Sequence, residues 1–250
     1  MRIAPGLYMV GSGQFGLSDA LDCHVYLLDA GDELALIDAG AGRDPERILA
    51  NIRGDGLDIG RVTHLFLTHS HADHAGGAAA LVARTGATLF CSRYEAQLLE
   101  SGSDEELGLT RAKASGIYPP SYDYAHTQAD VILRHEHEVR LSALTIRILE
   151  VAGHSPGSLC YLVSGGERVL LFSGDTVFWG GTIGLGNWAG SSLADYREAI
   201  GRLSGLGVEG LFPGHYMWTL TGGQAFLDAA IENLAQAWVP PAWQHMHPHR

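Results

Sequence analysis

Four residues within six positions, His69, His71, Asp73 and His74, form the densest chemical signal in this chain, in the run Thr-His-Ser-His-Ala-Asp-His. Imidazole and carboxylate are the ligands zinc takes in hydrolytic sites. On an extended or loop segment His69 and His71 point the same way. Asp73 and His74, where the next helix begins, turn toward a neighbouring point, so one cluster can serve two metals. Three further candidates stand at predicted strand ends: His154 in Val-Ala-Gly-His-Ser-Pro-Gly, Asp175 in Leu-Phe-Ser-Gly-Asp-Thr and His215 in Leu-Phe-Pro-Gly-His. A histidine after glycine in a turn is by itself more often structural. A histidine-rich solvent loop explains the first cluster taken alone, but not three more ligands at strand ends.

The elements that must hold these residues are readable from periodicity and turn chemistry. The N-terminal third reads as strands joined by short turns. His24–Asp29 and Glu33–Asp38 flank Gly31-Asp32 and form a hairpin. A helix spans about Asp44–Arg53, with Pro45 in its first turn. Val62–Thr68 is a buried-type strand that stops at His69, and Gly76-Gly77 open an Ala-rich helix to about Arg84. Ala87–Cys91 reads as a strand and Arg93–Glu100 as a helix. Residues 101–128, with Pro119-Pro120 and Tyr118, Tyr122 and Tyr124, read as an insertion or lid, partly helical near Glu105–Ala114. A second β-rich half has strands at Val139–Leu141, Thr145–Val151, Leu159–Val163, Arg168–Ser173 and Val208–Phe212. Its helices are expected at Leu193–Leu203 and Phe226–Trp238. Two β-rich blocks, each followed by helices, predict an α/β (α+β) protein of two face-to-face sheets with helices outside, in one domain over 1–250.

Composition removes several classes. With 46% apolar and 18% charged residues the chain is an ordinary globular protein. No apolar run approaches the roughly 18 residues of a membrane span, and the N-terminus does not read as a signal peptide. Cys23, Cys91 and Cys160 are far apart and odd in number, which argues against a disulfide framework or thiolate zinc site and for a cytoplasmic setting. A net charge of −12, Lys113 as the only lysine and no basic cluster disfavour nucleic acid. A small molecule is the expected partner, with no membrane. His24, His64, His135 and His137 read as packing or surface residues, and His245, His247 and His249 as a disordered tail. Trp238 and Trp243, near the last helix, offer a face for a homodimer.

These residues resemble the metallo-β-lactamase-fold hydrolases, in the glyoxalase II-like branch. The family's H-x-H-x-D-H motif stands here as His69–His74, and its later His, Asp and His match His154, Asp175 and His215. The resemblance runs from about Tyr8 to His215. It implies a four-layer αββα sandwich holding two divalent metal ions, zinc first, with iron or manganese as alternatives. His69, His71 and His154 would hold one ion, Asp73, His74 and His215 the other, and Asp175 would bridge them. Asp38, in Ile-Asp-Ala-Gly, would orient a ligand histidine, and a turn-capping role fits it equally. Coordination lowers the pKa of water from about 15.7 to about 7, so a metal-bridging hydroxide would attack a carbonyl whose developing charge the same ions hold. Asp73 would act as proton shuttle as well as ligand. No serine nucleophile is needed, and Ser70, Ser155 and Ser173 read as turn residues.

Loops set the substrate in such a family. Asp175 stands where the β-lactamases of this fold use Cys or Ser. His71 stands where flavin-linked di-iron reductases carry Glu, and the RNA-processing members need basic surfaces that are missing here. That leaves a small thioester, ester or lactone. The runs Gly174–Gly181 and Gly153–Gly157 look glyoxalase II-like. However, the usual Arg is missing from Thr182–Gly186, the arm after His215 is short, and Phe178 stands where lactonases carry Tyr. The local chemistry instead offers aromatics. Phe178, Trp179, Trp188, Tyr216 and Tyr118, with Trp218, Tyr122 and Tyr124, are expected to line an apolar pocket under the 101–128 lid, loop packing being the alternative. Two rivals stay open. A mononuclear iron persulfide dioxygenase of the same fold would use His71, His154 and Asp175. A non-catalytic metal-stabilised module is the other, although an open binuclear site is a costly way to hold a fold.

Overall fold

A computed structural model describes residues 1–242. Trp243, the three tail histidines and Arg250 lie outside the described residues. The chain divides into two compact units, residues 1–133 with 141–143, and residues 134–140 with the chain from 144 onward.

The first unit begins with β1 (Arg2–Ala4), β2 (Leu7–Gly11), β3 (Val25–Asp29) and β4 (Leu34–Ile37), which pair antiparallel in sequence order. The expected hairpin is present, with Asp29 opposite Leu34 and Gly31 left-handed at φ 94°. Helix α1 (Pro45–Gly54) follows; Asp44 caps it by accepting the Arg47 N–H, and Ile48, Leu49 and Ile52 form its buried face. Then come β5 (Val62–Phe66), the single turn α2 (Ala72–Ala75), α3 (Ala78–Thr85), β6 (Thr88–Ser92), α4 (Arg93–Ser101), α5 (Leu109–Ala114) and β7 (Val131–Leu133). Strands β4 to β7 run parallel, giving one seven-stranded mixed sheet ordered β1 to β7. Leu27, Leu36, Leu65 and Leu89 pack against Ile48, Ile52, Leu81 and Leu99 of the helices.

Residues 101–128 contribute to that same core. Tyr118, Tyr122 and Tyr124 are 6, 7 and 5% exposed, so the tyrosines expected to face a pocket are core residues. Their hydroxyls can be buried because each has a partner; Tyr122 donates to the Ala41 carbonyl at 2.8 Å. The helical part is shorter than expected, Leu109–Ala114.

The second unit holds β8 (Glu138–Leu141), β9 (Leu144–Glu150), β10 (Leu159–Ser164), β11 (Leu170–Gly174) and β12 (Gly210–Pro213), in the order β12-β11-β10-β9-β8. β9, β10 and β11 pair antiparallel, and β12 joins β11 in parallel. Helix α6 (Leu193–Ala199) tightens into a 3-10 turn, Ile200–Leu203, and α7 (Gly223–Ala235) is the last helix of the described residues. Leu149, Cys160, Leu171 and Leu211 pack on Tyr196, Leu203, Leu227 and Leu234. The last helix starts three residues before the predicted Phe226 and ends three before Trp238. Its first turn is fastened to the residues leading into β12: the Gly223 N–H donates to Glu209 O at 2.8 Å, and Gln224 Oε1 accepts from the Val208 N–H. These contacts override the poor helix propensity of Gly223. Two mixed sheets with helices fit the expected α/β class. Among the described residues no helix is long and apolar enough to cross a membrane.

Candidate metal centre

In the first unit the candidate ligands follow the carboxyl end of β5, where open parallel sheets place their sites. Pairing ends at Phe66, and residues 67–71 form a loop that α2 takes over. His69 Nε2 and His71 Nδ1 converge to 3.1 Å. Asp73 Oδ2 lies 3.7 Å from His74 Nε2. The opposite ring atom of His74, Nδ1, donates to Asp38 Oδ2 at 2.8 Å, with both side chains buried.

Asp38 also accepts the Thr68 N–H at 2.8 Å and the Thr68 hydroxyl at 2.9 and 3.0 Å. Because that hydroxyl donates to the carboxylate, its lone pairs receive Nδ1–H of His69, 3.0 Å away. One carboxylate and one hydroxyl therefore engage Nδ1 of both rings, which turns each Nε2 toward its neighbouring candidate, His71 for His69 and Asp73 for His74. Asp38 adopts this role in a left-handed conformation, φ 63°, which aspartate tolerates better than most residues. Gly77 closes the arrangement from behind. A Cβ there would stand 2.1 Å from the Ala39 carbonyl, so only glycine lets α3 approach the strand end.

Cys23, Asp38 and His74 offer ligand atoms within 4.8 Å of one another. Burial pushes the Cys23 thiol well above the ordinary thiol range, with His74 pulling weakly the other way. Cys23 is a small buried residue, as the sequence predicted. Cys91 and Cys160 are likewise buried, their thiols pushed up to about 12 by burial.

In the second unit Asp175 follows β11 directly and His215 stands two residues after β12, again at carboxyl ends of parallel strands. Asp175 Oδ2 lies 3.8 Å from His154 Nε2 and 3.5 Å from His215 Nε2, a carboxylate oxygen between two imidazoles. His154 is 2% exposed and donates Nδ1–H to the Gly184 carbonyl at 2.7 Å, which again directs Nε2 outward. A Cβ on Gly184 would stand 2.0 Å from the Asp175 carbonyl and 2.7 Å from that Nδ1. Tyr196, fully buried, donates its hydroxyl to the carbonyls of Asp175 and Thr176 at 3.3 and 3.2 Å.

The aromatics sort by environment. Phe178 and Tyr216 are buried and meet edge to face at 5.4 Å. Trp179 is 43% exposed but its ring meets Phe226 of α7 at a tilt, 4.5 Å away, and Trp218 stacks on Phe212, so both pack their own unit. Trp188, half-buried, sets its ring edge against His154 at 5.1 Å and donates Nε1–H to the His154 carbonyl at 3.0 Å. The Tyr118 hydroxyl is hydrogen-bonded to the Asp73 carboxylate.

Each unit thus brings together the candidates that lie on it, and the donor set fits divalent cations. Thr68, Gly184 and Tyr196 are the site-building residues that sequence reasoning missed. Only Thr68 and Gly184 carried a signal, one by adjacency to His69 and the other as part of a Gly-rich run.

The chain belongs to the Metallo-beta-lactamase superfamily, whose pattern matches residues 18–215. It is 35% identical over 199 residues to the hydroxyacylglutathione hydrolase of Anaeromyxobacter dehalogenans, covering 78% of this chain and 61% of that protein. It is 26% identical over 235 residues to the atrochrysone carboxyl ACP thioesterase of Aspergillus fumigatus, covering 94% and 59%. The chain thus spans about three fifths of the length of these curated relatives. Among solved structures it is similar to a subclass B3 metallo-beta-lactamase of Bradyrhizobium japonicum, with TM-score 0.70, 20% identity, and 93% and 89% coverage. It also resembles a Cronobacter sakazakii metallo-beta-lactamase, with TM-score 0.68, 22% identity, and 86% and 77% coverage. At these identities the solved structures show the shared fold, the one the sequence resemblance implied.

Proposed function

We propose that this chain is a metal-dependent hydrolase acting at the carbonyl of a small thioester, ester or lactone, with all seven candidate ligands serving one binuclear centre. His69, His71 and His154 are assigned to one ion, Asp73, His74 and His215 to the other, and Asp175 to both. Zinc is the assigned ion, with iron or manganese as substitutes. The observation that carries the reading is the set of Nδ1 partners. Thr68, Asp38 and Gly184 occupy that atom on His69, His74 and His154, so each ring offers Nε2 as donor. The matched span 18–215 contains all seven residues and crosses both units, which supports treating them as one domain. Two relatives named for thioester hydrolysis favour that substrate class.

When bound, two divalent ions supply a nucleophile from water at neutral pH and polarise the carbonyl. The chain's own residues do the rest. Asp73, partly exposed, accepts the proton lost on attack and returns it to the leaving group. Asp38 holds His74 against rotation while this happens. Trp188, the aromatic resting on a candidate ligand with part of its ring open, contacts the substrate. A cytoplasmic location and a small-molecule partner go with this reading.

Elemental analysis of protein purified without added metal or an affinity tag tests it, followed by glutathione thioester, acyl thioester and lactone panels. Close to two zinc per chain with thioester turnover is expected. About one iron per chain, with oxygen uptake on persulfides, would move the chain to the dioxygenase reading. Metal-free protein that is folded and active would overturn the centre. Within the panel, Trp188→Ala is expected to raise KM at least several-fold while Trp179→Ala leaves it unchanged.

A further inference from the structure

The stretch 67–71 carries two candidate ligands yet lies in no strand or helix, so its backbone polar groups must find partners elsewhere. Leu67 N–H donates to Phe90 O, Thr68 N–H to Asp38, and the His71 carbonyl accepts from the first turn of α2. Ser70, between the two histidines and 2% exposed, is held entirely by distant side chains. Its N–H donates to Glu95 Oε2 at 2.9 Å, and its hydroxyl donates to the same oxygen. Its carbonyl accepts from the Tyr124 hydroxyl at 3.1 Å. Glu95 and Tyr124 are themselves 1 and 5% exposed.

Burying a carboxylate to that degree is expensive unless several donors meet it, and closing a surface turn does not require it. What it provides is rigidity. Every polar group of Ser70 is fixed by a residue 25 or 54 positions downstream, so the Cα atoms of His69 and His71 have little freedom. Ligand placement to within about half an ångström is what a pre-formed metal site demands.

We propose that Glu95 and Tyr124 are positioning residues that, through Ser70, set where His69 and His71 stand and hence the affinity for the ion they hold. The inference rests on the metal reading above. It also gives 101–128 a role, as a buttress behind the ligand loop. Tyr122 supplies the control, because its hydroxyl makes an equally buried bond to Ala41 O, which precedes no candidate ligand.

Zinc affinity of the apoprotein, by competition with a chromophoric chelator, is measured alongside apoprotein melting temperature for wild type, Tyr124→Phe, Glu95→Gln and Tyr122→Phe. The two positioning variants are expected to bind zinc about 10- to 100-fold more weakly. Tyr122→Phe should lose a melting temperature similar to Tyr124→Phe and keep wild-type affinity. If Tyr124→Phe and Tyr122→Phe lose stability alike and neither changes zinc affinity, the clamp is structural only and the inference is overturned. Should Glu95→Gln not fold, Tyr124→Phe decides. Wild-type protein that takes up no zinc would bring down the metal reading and this inference with it, whereas tight wild-type binding unchanged in both variants sinks this inference alone.

Discussion

Asp38 and Thr68 show how few atoms are needed to order a ligand set. A left-handed non-glycine residue costs about 1–3 kcal/mol, and Asp38 bears that cost where its carboxylate meets Thr68 N–H, the Thr68 hydroxyl and His74 at once. Replacing Asp38 with Ala removes the acceptor and frees the His74 ring. The expected result is zinc binding about 10- to 100-fold weaker at the Asp73–His74 position, read by chelator competition. Unchanged affinity would return Asp38 to the turn-capping role. Gly184 makes the matching case in the second unit. Gly184→Ala drives a methyl into the Asp175 carbonyl and against His154 Nδ1. Its metal stoichiometry should fall while far-UV circular dichroism stays native, and a full metal complement would contradict the geometry described for His154.

At the scale of elements, β5 carries a titratable residue unrelated to the ligands. His64 stacks beside the Phe66–Phe90 pair, 5.8 and 5.3 Å from the two rings. Burial disfavours its charged form and lowers its pKa below the usual 6.5, Glu33 acting weakly in the other direction. A histidine with a depressed native pKa binds fewer protons folded than unfolded, so its stabilising share is full above pH 6.5 and is lost as pH falls through the native value. His64→Phe keeps the stack without the titration. The stability difference between variant and wild type should grow from pH 7.5 to 5.5 in denaturant titrations, and a pH-independent difference would refute the assignment. Other elements were legible to different degrees. The β3–β4 hairpin and α1 announce themselves through Gly31-Asp32, Asp44 and Pro45, because turn and cap chemistry is local. The candidate ligands stood out in the sequence because strand ends followed by His or Asp are a composition that packing alone does not call for. The tyrosines of 101–128 were misplaced because their partners, Ala41 and Ser70, lie 81 and 54 residues earlier. β7, three residues at a sheet edge, has too few positions for a period.

At the scale of the molecule, metal bound by the native state alone adds RT ln(1 + [M]/Kd), about 2.7 kcal/mol at a hundredfold excess over Kd. Chelation should therefore lower the melting temperature, and zinc should restore it in a concentration-dependent way; a transition indifferent to both would argue against occupancy.

The fastening of Ser70 from Glu95 and Tyr124 also fixes an order of events in time. A chain growing from its N-terminus presents His69 and His71 early, on a loop with nothing yet behind it. The loop takes its shape only after α4 has formed and residue 124 has docked, contacts that require closing 25- and 54-residue segments. If those two histidines hold an ion as proposed, its native geometry forms only once both of these contacts have closed.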